Sequence, residues 1–122
     1  MPEPAAFDFS TDVLDASRSR PVVVDFWAPW CGPCRALGPT LEKLDREAGD
    51  RWTLAKVNTD EHPELMQRYG VRGIPAVKLF VDGAVVGEFT GALPEAQVRQ
   101  WLNQHIPSPA REKVQAAQSA LE

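Results

Sequence analysis

Apolar residues along the chain switch between short continuous runs and a spacing of three to four, the pattern of strands alternating with helices. Pro21 opens the run Val22-Val23-Val24-Asp25-Phe26-Trp27, whose nearly unbroken apolar character predicts a strand buried on both faces. Leu37, Leu41, Leu44 and Ala48 then recur at helical spacing, with Gly49 as a stop and Pro39 as an expected kink. Trp52 to Asn58 predicts the next strand and Pro63 to Tyr69 a short helix. Ala76 to Val81 and Ala84 to Phe89 flank Asp82-Gly83, a two-residue hairpin signal. Pro94 to Ile106 is helical again, carrying Val98, Leu102 and Ile106 on one side. Upstream, Ala6 to Phe9 predicts a short edge strand, and Ser10 or Thr11 a cap for a helix running to about Ser17. The order β-α-β-α-β-α-β-β-α is that of an α/β fold, and no internal repeat interrupts it.

Composition narrows what such a domain can do. At 122 residues the chain has room for one core. A net charge of −4 with no Lys/Arg run removes the electrostatic footprint of a nucleic-acid binder. No apolar run approaches the ~20 residues of a membrane span, and Met1-Pro2-Glu3-Pro4-Ala5-Ala6 has neither the basic nor the apolar part of a secretory signal, so a cytoplasmic location is expected.

The two cysteines, Cys31 and Cys34, are only three positions apart. Trp27 ends a buried strand and Leu37 already belongs to a helix, so Cys31 falls at the helix start. There the free backbone N–H groups and the dipole favour its thiolate. Cys34 follows one turn deeper, within reach to resolve a mixed disulfide. Gly32 relieves crowding beside the nucleophile, and Pro33 costs little where the N–H it lacks has no intrahelical acceptor. Two other readings exist for such a pair. A structural disulfide would close too small a loop to restrain the unfolded chain much. A zinc site would need two further ligands, for which only the widely separated His62 and His105 remain, so no metal site is expected. Redox chemistry is the best reading of this motif near a βαβ pattern.

Two segments carry a resemblance. Asp25-Phe26-Trp27-Ala28-Pro29-Trp30-Cys31-Gly32-Pro33-Cys34 resembles the active-site segment of the thioredoxin family, and Tyr69-Gly70-Val71-Arg72-Gly73-Ile74-Pro75 its second signature. Asp82-Gly83 and Gly91-Ala92 fall where the later turns of that family lie, and the likeness runs from about Phe7 to Ile106. Arg35 stands where the family often has Lys, and Thr90 where an aliphatic residue is common. The resemblance implies a thioredoxin fold, a central mixed β-sheet flanked by helices. It implies a redox-active disulfide between Cys31 and Cys34, with Cys31 the nucleophile, Cys34 the resolving thiol and no bound cofactor.

Asp25 interrupts an apolar strand, and the residues leave two readings open: an acid whose pKa is raised by desolvation, or one neutralised by a cation such as Lys56. The resemblance assigns Asp25 as proton acceptor for Cys34 and Lys56 as the residue that tunes it. Pro75 alone predicts an ordinary trans proline at a strand start; the matching proline of the family is cis and faces the cysteines, with the residue before it, here Ile74, pairing with the substrate backbone. Trp30, Ile74, Pro75, Gly91 and Ala92, with Gly32 and Pro33, would then form a flat apolar patch suited to extended polypeptide. Trp27, Trp52 and Trp101 are expected to pack in or near the core, and His62 and His105 to lie on the surface.

The expected activity is that of a protein-disulfide reductase acting on disulfide-containing proteins, and the resemblance implies that a flavin- and NADPH-dependent thioredoxin reductase recharges it. Residues 1–106 would complete that domain. Pro107-Ser108-Pro109 breaks the chain, and Ala110 to Ala120, with Val114, Ala117 and Leu121 in a thin stripe, predicts an extra C-terminal helix within an extension spanning 107–122. That extension resembles the start of the repeat region in chaperedoxin-type proteins, so the alternative is the redox domain of a longer client-binding chaperone.

Overall fold

Asp8, not Ser10 or Thr11, starts the structure at the N-terminus. In the computed structural model, which describes residues 7–106, its carboxylate accepts from Ser10 N–H at 3.0 Å and from the Thr11 hydroxyl at 3.2 Å. Asp12 returns a carboxylate to Asp8 N–H at 3.0 Å. This reciprocal capping coils the chain at once into helical turns, Ser10–Asp15 and Ala16–Arg18. The edge strand expected from Ala6 to Phe9 is therefore not formed over its described part; Phe9 instead packs against Tyr69 and Phe80.

The remaining elements follow the sequence pattern closely: β1 Val22–Trp27, α1 Gly32–Ala48, β2 Thr53–Asn58, α2 Pro63–Arg68, β3 Ala76–Val81, β4 Ala84–Thr90 and α3 Glu95–His105. The sheet order is β2-β1-β3-β4, with β1 parallel to β2 and antiparallel to β3, and β4 antiparallel to β3. This is the mixed sheet flanked by helices that the resemblance implies. The helix expected from Ala110 to Ala120 lies outside the described residues.

Because side chains alternate along a strand, the sheet serves two cores. Val23, Val77 and Leu79 pack with Leu37, Leu41 and Leu44 of α1 and with Val98, Trp101 and Leu102 of α3. Val22, Val24, Phe26, Val57 and Phe80 pack on the other face with Val13 and Leu65. Each such side chain contributes about 1.5–3 kcal/mol of burial, so two filled faces hold β1 as the most enclosed element. The hairpin turn has positive φ at both Asp82 and Gly83, as its two-residue form requires. Buried Ser17 fastens that turn: its hydroxyl accepts from Gly83 N–H at 2.8 Å and its carbonyl from Asp82 N–H at 2.9 Å.

Alternation also fixes the site. Asp25 shares the face of Val23, toward α1, and its register partner across β2 is Lys56. β1 thus delivers a carboxylate beneath the first turns of α1, at the end of the sheet where the cysteines sit.

Candidate active site

The chain leaves β1 at Trp27, turns through Ala28, Pro29 and Trp30, and enters α1 with Cys31 as its N-cap. Cys31 Sγ accepts the backbone N–H of Cys34 at 3.2 Å, in the place a serine or aspartate oxygen usually takes. The same N–H that satisfies the helix start is therefore aimed at the sulfur and favours its thiolate form once reduced. Cys31 and Cys34 are joined as a disulfide, with Cα atoms 5.3 Å apart. Arg35 donates to the Pro29 carbonyl at 2.8 Å, pinning the loop before the motif to the first helical turn.

Fractional exposure does not separate the two cysteines in this oxidised state, at 4% for Cys31 and 5% for Cys34. What separates them is surroundings. Cys31 Sγ lies 3.8 Å from the Ile74 carbonyl oxygen, beside the loop that ends at Pro75. Cys34 lines a cleft of about 300 Å³ with Trp27, Gly38, Glu42 and Lys56. One sulfur adjoins the Ile74–Pro75 loop, the other a solvent-open cleft between α1 and β2.

The Ile74–Pro75 peptide bond is cis. The Pro75 carbonyl accepts Gly91 N–H at 2.8 Å, which brings the turn after β4 against this loop. Gly91 needs its lack of a side chain here, since its φ is +96°. Trp30 is 67% exposed, far more than a packed indole, and its Nε1 donates to Asp60 Oδ1 at 3.1 Å. Around the disulfide, Trp30, Gly32, Pro33 and Ala92 are exposed, Ile74 and Gly91 half-buried, and Pro75 buried. The sequence-derived patch residues thus come to one end of the sheet, with Pro75 as a buried support.

Asp25 is 1% exposed, and neither carboxylate oxygen has a hydrogen-bond partner among the described residues. Desolvation raises its pKa from 3.8 to about 6; the charge of Lys56 pulls it down, and that of Glu42 pushes it up. Of the two readings left open by the residues, the desolvated acid is the one found. Lys56 is near but does not pair with Asp25: its Nζ donates to Glu42 Oε2 at 3.0 Å and sits 5.0 Å from the centre of the Trp27 ring. Glu42, Gly38 and Asp60 are members of this region that sequence reasoning missed. A signal existed for Glu42, which follows Cys34 and Gly38 at successive spacings of four on one face of α1; Asp60 had none.

The remaining expectations are mixed. Trp52 and Trp101 are buried and Trp27 half-buried. His62 and His105 are half-buried instead of surface residues, His105 lying against Gly87, where an added Cβ would come within 2.7 Å of its ring. Among the described residues no three His, Cys, Asp or Glu side chains are grouped to hold a metal ion, and no helix is long and apolar enough to cross a membrane.

Comparison with known proteins agrees with this geometry. The thioredoxin family model matches residues 3–104. The chain is 47% identical over 98 residues to a thioredoxin of Rhodospirillum rubrum, covering 80% of this chain and 92% of that one. It is 42% identical over 98 residues to thioredoxin 1 of Synechococcus elongatus, covering 80% and 90% respectively. Over a 98-residue match it is 45% identical to a thioredoxin of Acidithiobacillus ferridurans, covering 80% and 89%.

Proposed function

The chain belongs to the thioredoxin family and is a thiol–disulfide oxidoreductase, and from that premise we propose how its residues divide the work of reducing disulfides in other proteins. The observation that carries this reading is the disulfide of Cys31 and Cys34 at the mouth of α1, with Cys31 facing the Ile74 carbonyl and Cys34 facing the cleft. In the reduced protein the Cys31 thiolate attacks one sulfur of a substrate disulfide. That bond breaks, and the first substrate sulfur leaves and takes a proton. Cys34 gives its proton to Asp25 and attacks Cys31, which releases the second substrate thiolate and restores the Cys31–Cys34 disulfide. Two electrons have then passed to the substrate.

Asp25 suits the acceptor role because its raised pKa lies much closer to that of a thiol than an ordinary aspartate's does. Lys56 moderates its basicity. Trp30, Gly32, Pro33, Ile74, Pro75, Gly91 and Ala92 receive the substrate, whose extended backbone pairs beside Ile74 as an added strand. Disulfide-bearing proteins and a reductase are the partners the family implies; the electron donor is a thioredoxin reductase using NADPH. A reducing compartment, the cytoplasm, is where a two-cysteine dithiol of this kind operates.

Residues 1–106 constitute the redox domain and 107–122 an extension it does not need, a division supported by the family match ending at residue 104. Insulin reduction with thioredoxin reductase and NADPH tests the reading. The wild type precipitates insulin, Cys31→Ser does not, and removal of residues 108–122 leaves the rate within about twofold. Activity surviving in Cys31→Ser would refute the assignment.

A further inference from the structure

The steps above give no task to Glu42, yet among the described residues it holds the cation beside Asp25. Helix α1 places Cys34, Gly38 and Glu42 at successive spacings of four, so they form one stripe over the β1–β2 end of the sheet. All three line the cleft, together with Lys56. Lys56 is the register neighbour of Asp25 on the same face of the sheet. Its flexible stem and its position make the buried Asp25 carboxylate an available partner. It bonds to Glu42 instead, at 3.0 Å, and both Asp25 oxygens stay unpartnered. Gly38 lies directly beside the pair, where a Cβ would be in ordinary contact, 3.8 Å from both Glu42 Oε2 and Lys56 Nζ.

Stability does not account for this pair. The Glu42 and Lys56 side chains are 46% and 37% exposed, and ion pairs so open to solvent contribute little. The other charged lining residue, Arg35, is turned away to the Pro29 carbonyl. From β3 the residue opposite Asp25 is the apolar Val77. Among the described residues, Lys56 and Glu42 are thus the charges that act on Asp25.

We propose that Glu42 is a positioning residue for the resolving step: by holding Lys56 out of contact with Asp25, it keeps that carboxylate free to take the Cys34 proton. This rests on the proton-acceptor reading of Asp25. Glu42 acts through Lys56 and also through its own charge, and both effects raise the affinity of Asp25 for a proton. Losing Glu42 therefore works twice in one direction.

The test follows the Asp25 carboxyl carbon by NMR against pH in the oxidised protein, where neither cysteine titrates. Glu42→Gln lowers the midpoint from about 6 by about one pH unit, and Lys56→Gln raises it. Adding Glu42→Gln to Lys56→Gln moves the midpoint by less than half as much as in the wild type, because the cation to be released is gone. An unmoved midpoint in Glu42→Gln, or equal shifts in the two backgrounds, would overturn the positioning role. Asp25→Asn separates the two levels of the argument. If that variant resolves mixed disulfides at the wild-type rate, the acceptor reading fails, whatever Glu42 does to the titration.

Discussion

Asp25 and Lys78 are the two charged side chains buried among the described residues, on neighbouring strands and opposite faces of one sheet. Lys78 lies on the face of Val24 and Phe80, and its Nζ reaches out along β4 to Glu88 at 2.5 Å. The Lys78 side chain is only 8% exposed, but its charge is paired with that of Glu88, which is 62% exposed. Asp25 has a short side chain, no such exit and no hydrogen bond. The long cation solved its desolvation by reaching outward. The short anion could not, and its pKa rose instead. Burial of a charge is thus not by itself a sign of chemistry; what sets Asp25 apart is burial without a partner, the condition the proposed acceptor role requires.

The largest expected break in this contrast is kinetic. Asp25→Asn keeps the shape and removes the acceptor, and resolution of the mixed disulfide slows by about 100-fold at neutral pH, the usual scale for loss of a general base. Stopped-flow measurement of single turnovers checks it. Next comes stability. An acid whose folded pKa of about 6 lies above its unfolded value of 3.8 binds protons more tightly when folded. Its penalty is absent below the lower value, grows between the two and levels off above pH 6. Asp25→Asn therefore gains stability as pH rises through that window, approaching about 2 kcal/mol at neutral pH once the desolvated amide is allowed for. Urea unfolding at low and neutral pH measures the difference. Smallest is the effect of Lys78→Met, which removes a paired cation and leaves behind an exposed carboxylate. It changes stability by no more than about 1 kcal/mol and leaves the pH profile of insulin reduction where it was.

Strands were the legible part of this fold. Val22 to Trp27 bounds β1 correctly because an apolar run flanked by Pro21 and a Pro-Gly-rich motif has few other uses. The hairpin was equally clear, since Asp82-Gly83 carries the positive φ values its turn needs. Phe7 and Phe9 misled: alternating aromatics suggest an edge strand, but Asp8 between them is a helix cap, and local capping prevailed over alternation. Within the site, the cysteines stood out through their spacing together with the motif around them, whereas the state of Asp25 was left open between two readings. Which way Lys56 leans was not. Asp25 and Glu42 both offer it a carboxylate, and only three-dimensional placement of α1 over β2 decides between them. Asp60 was beyond reach for a similar reason, because its bond to Trp30 joins two loops thirty positions apart.

The most direct measurement is the pH dependence of one step. Treating the reduced protein with an aryl disulfide reagent forms a Cys31 adduct that releases a coloured thiolate as Cys34 resolves it. In the wild type the rate should rise through a midpoint near 6, the value at which Asp25 becomes a base. In Asp25→Asn the rate should be lower and that midpoint gone, leaving only a rise toward the thiol's own range near ~8.5. A midpoint near 6 that persists in Asp25→Asn would contradict the account, because another group would then be taking the proton from Cys34.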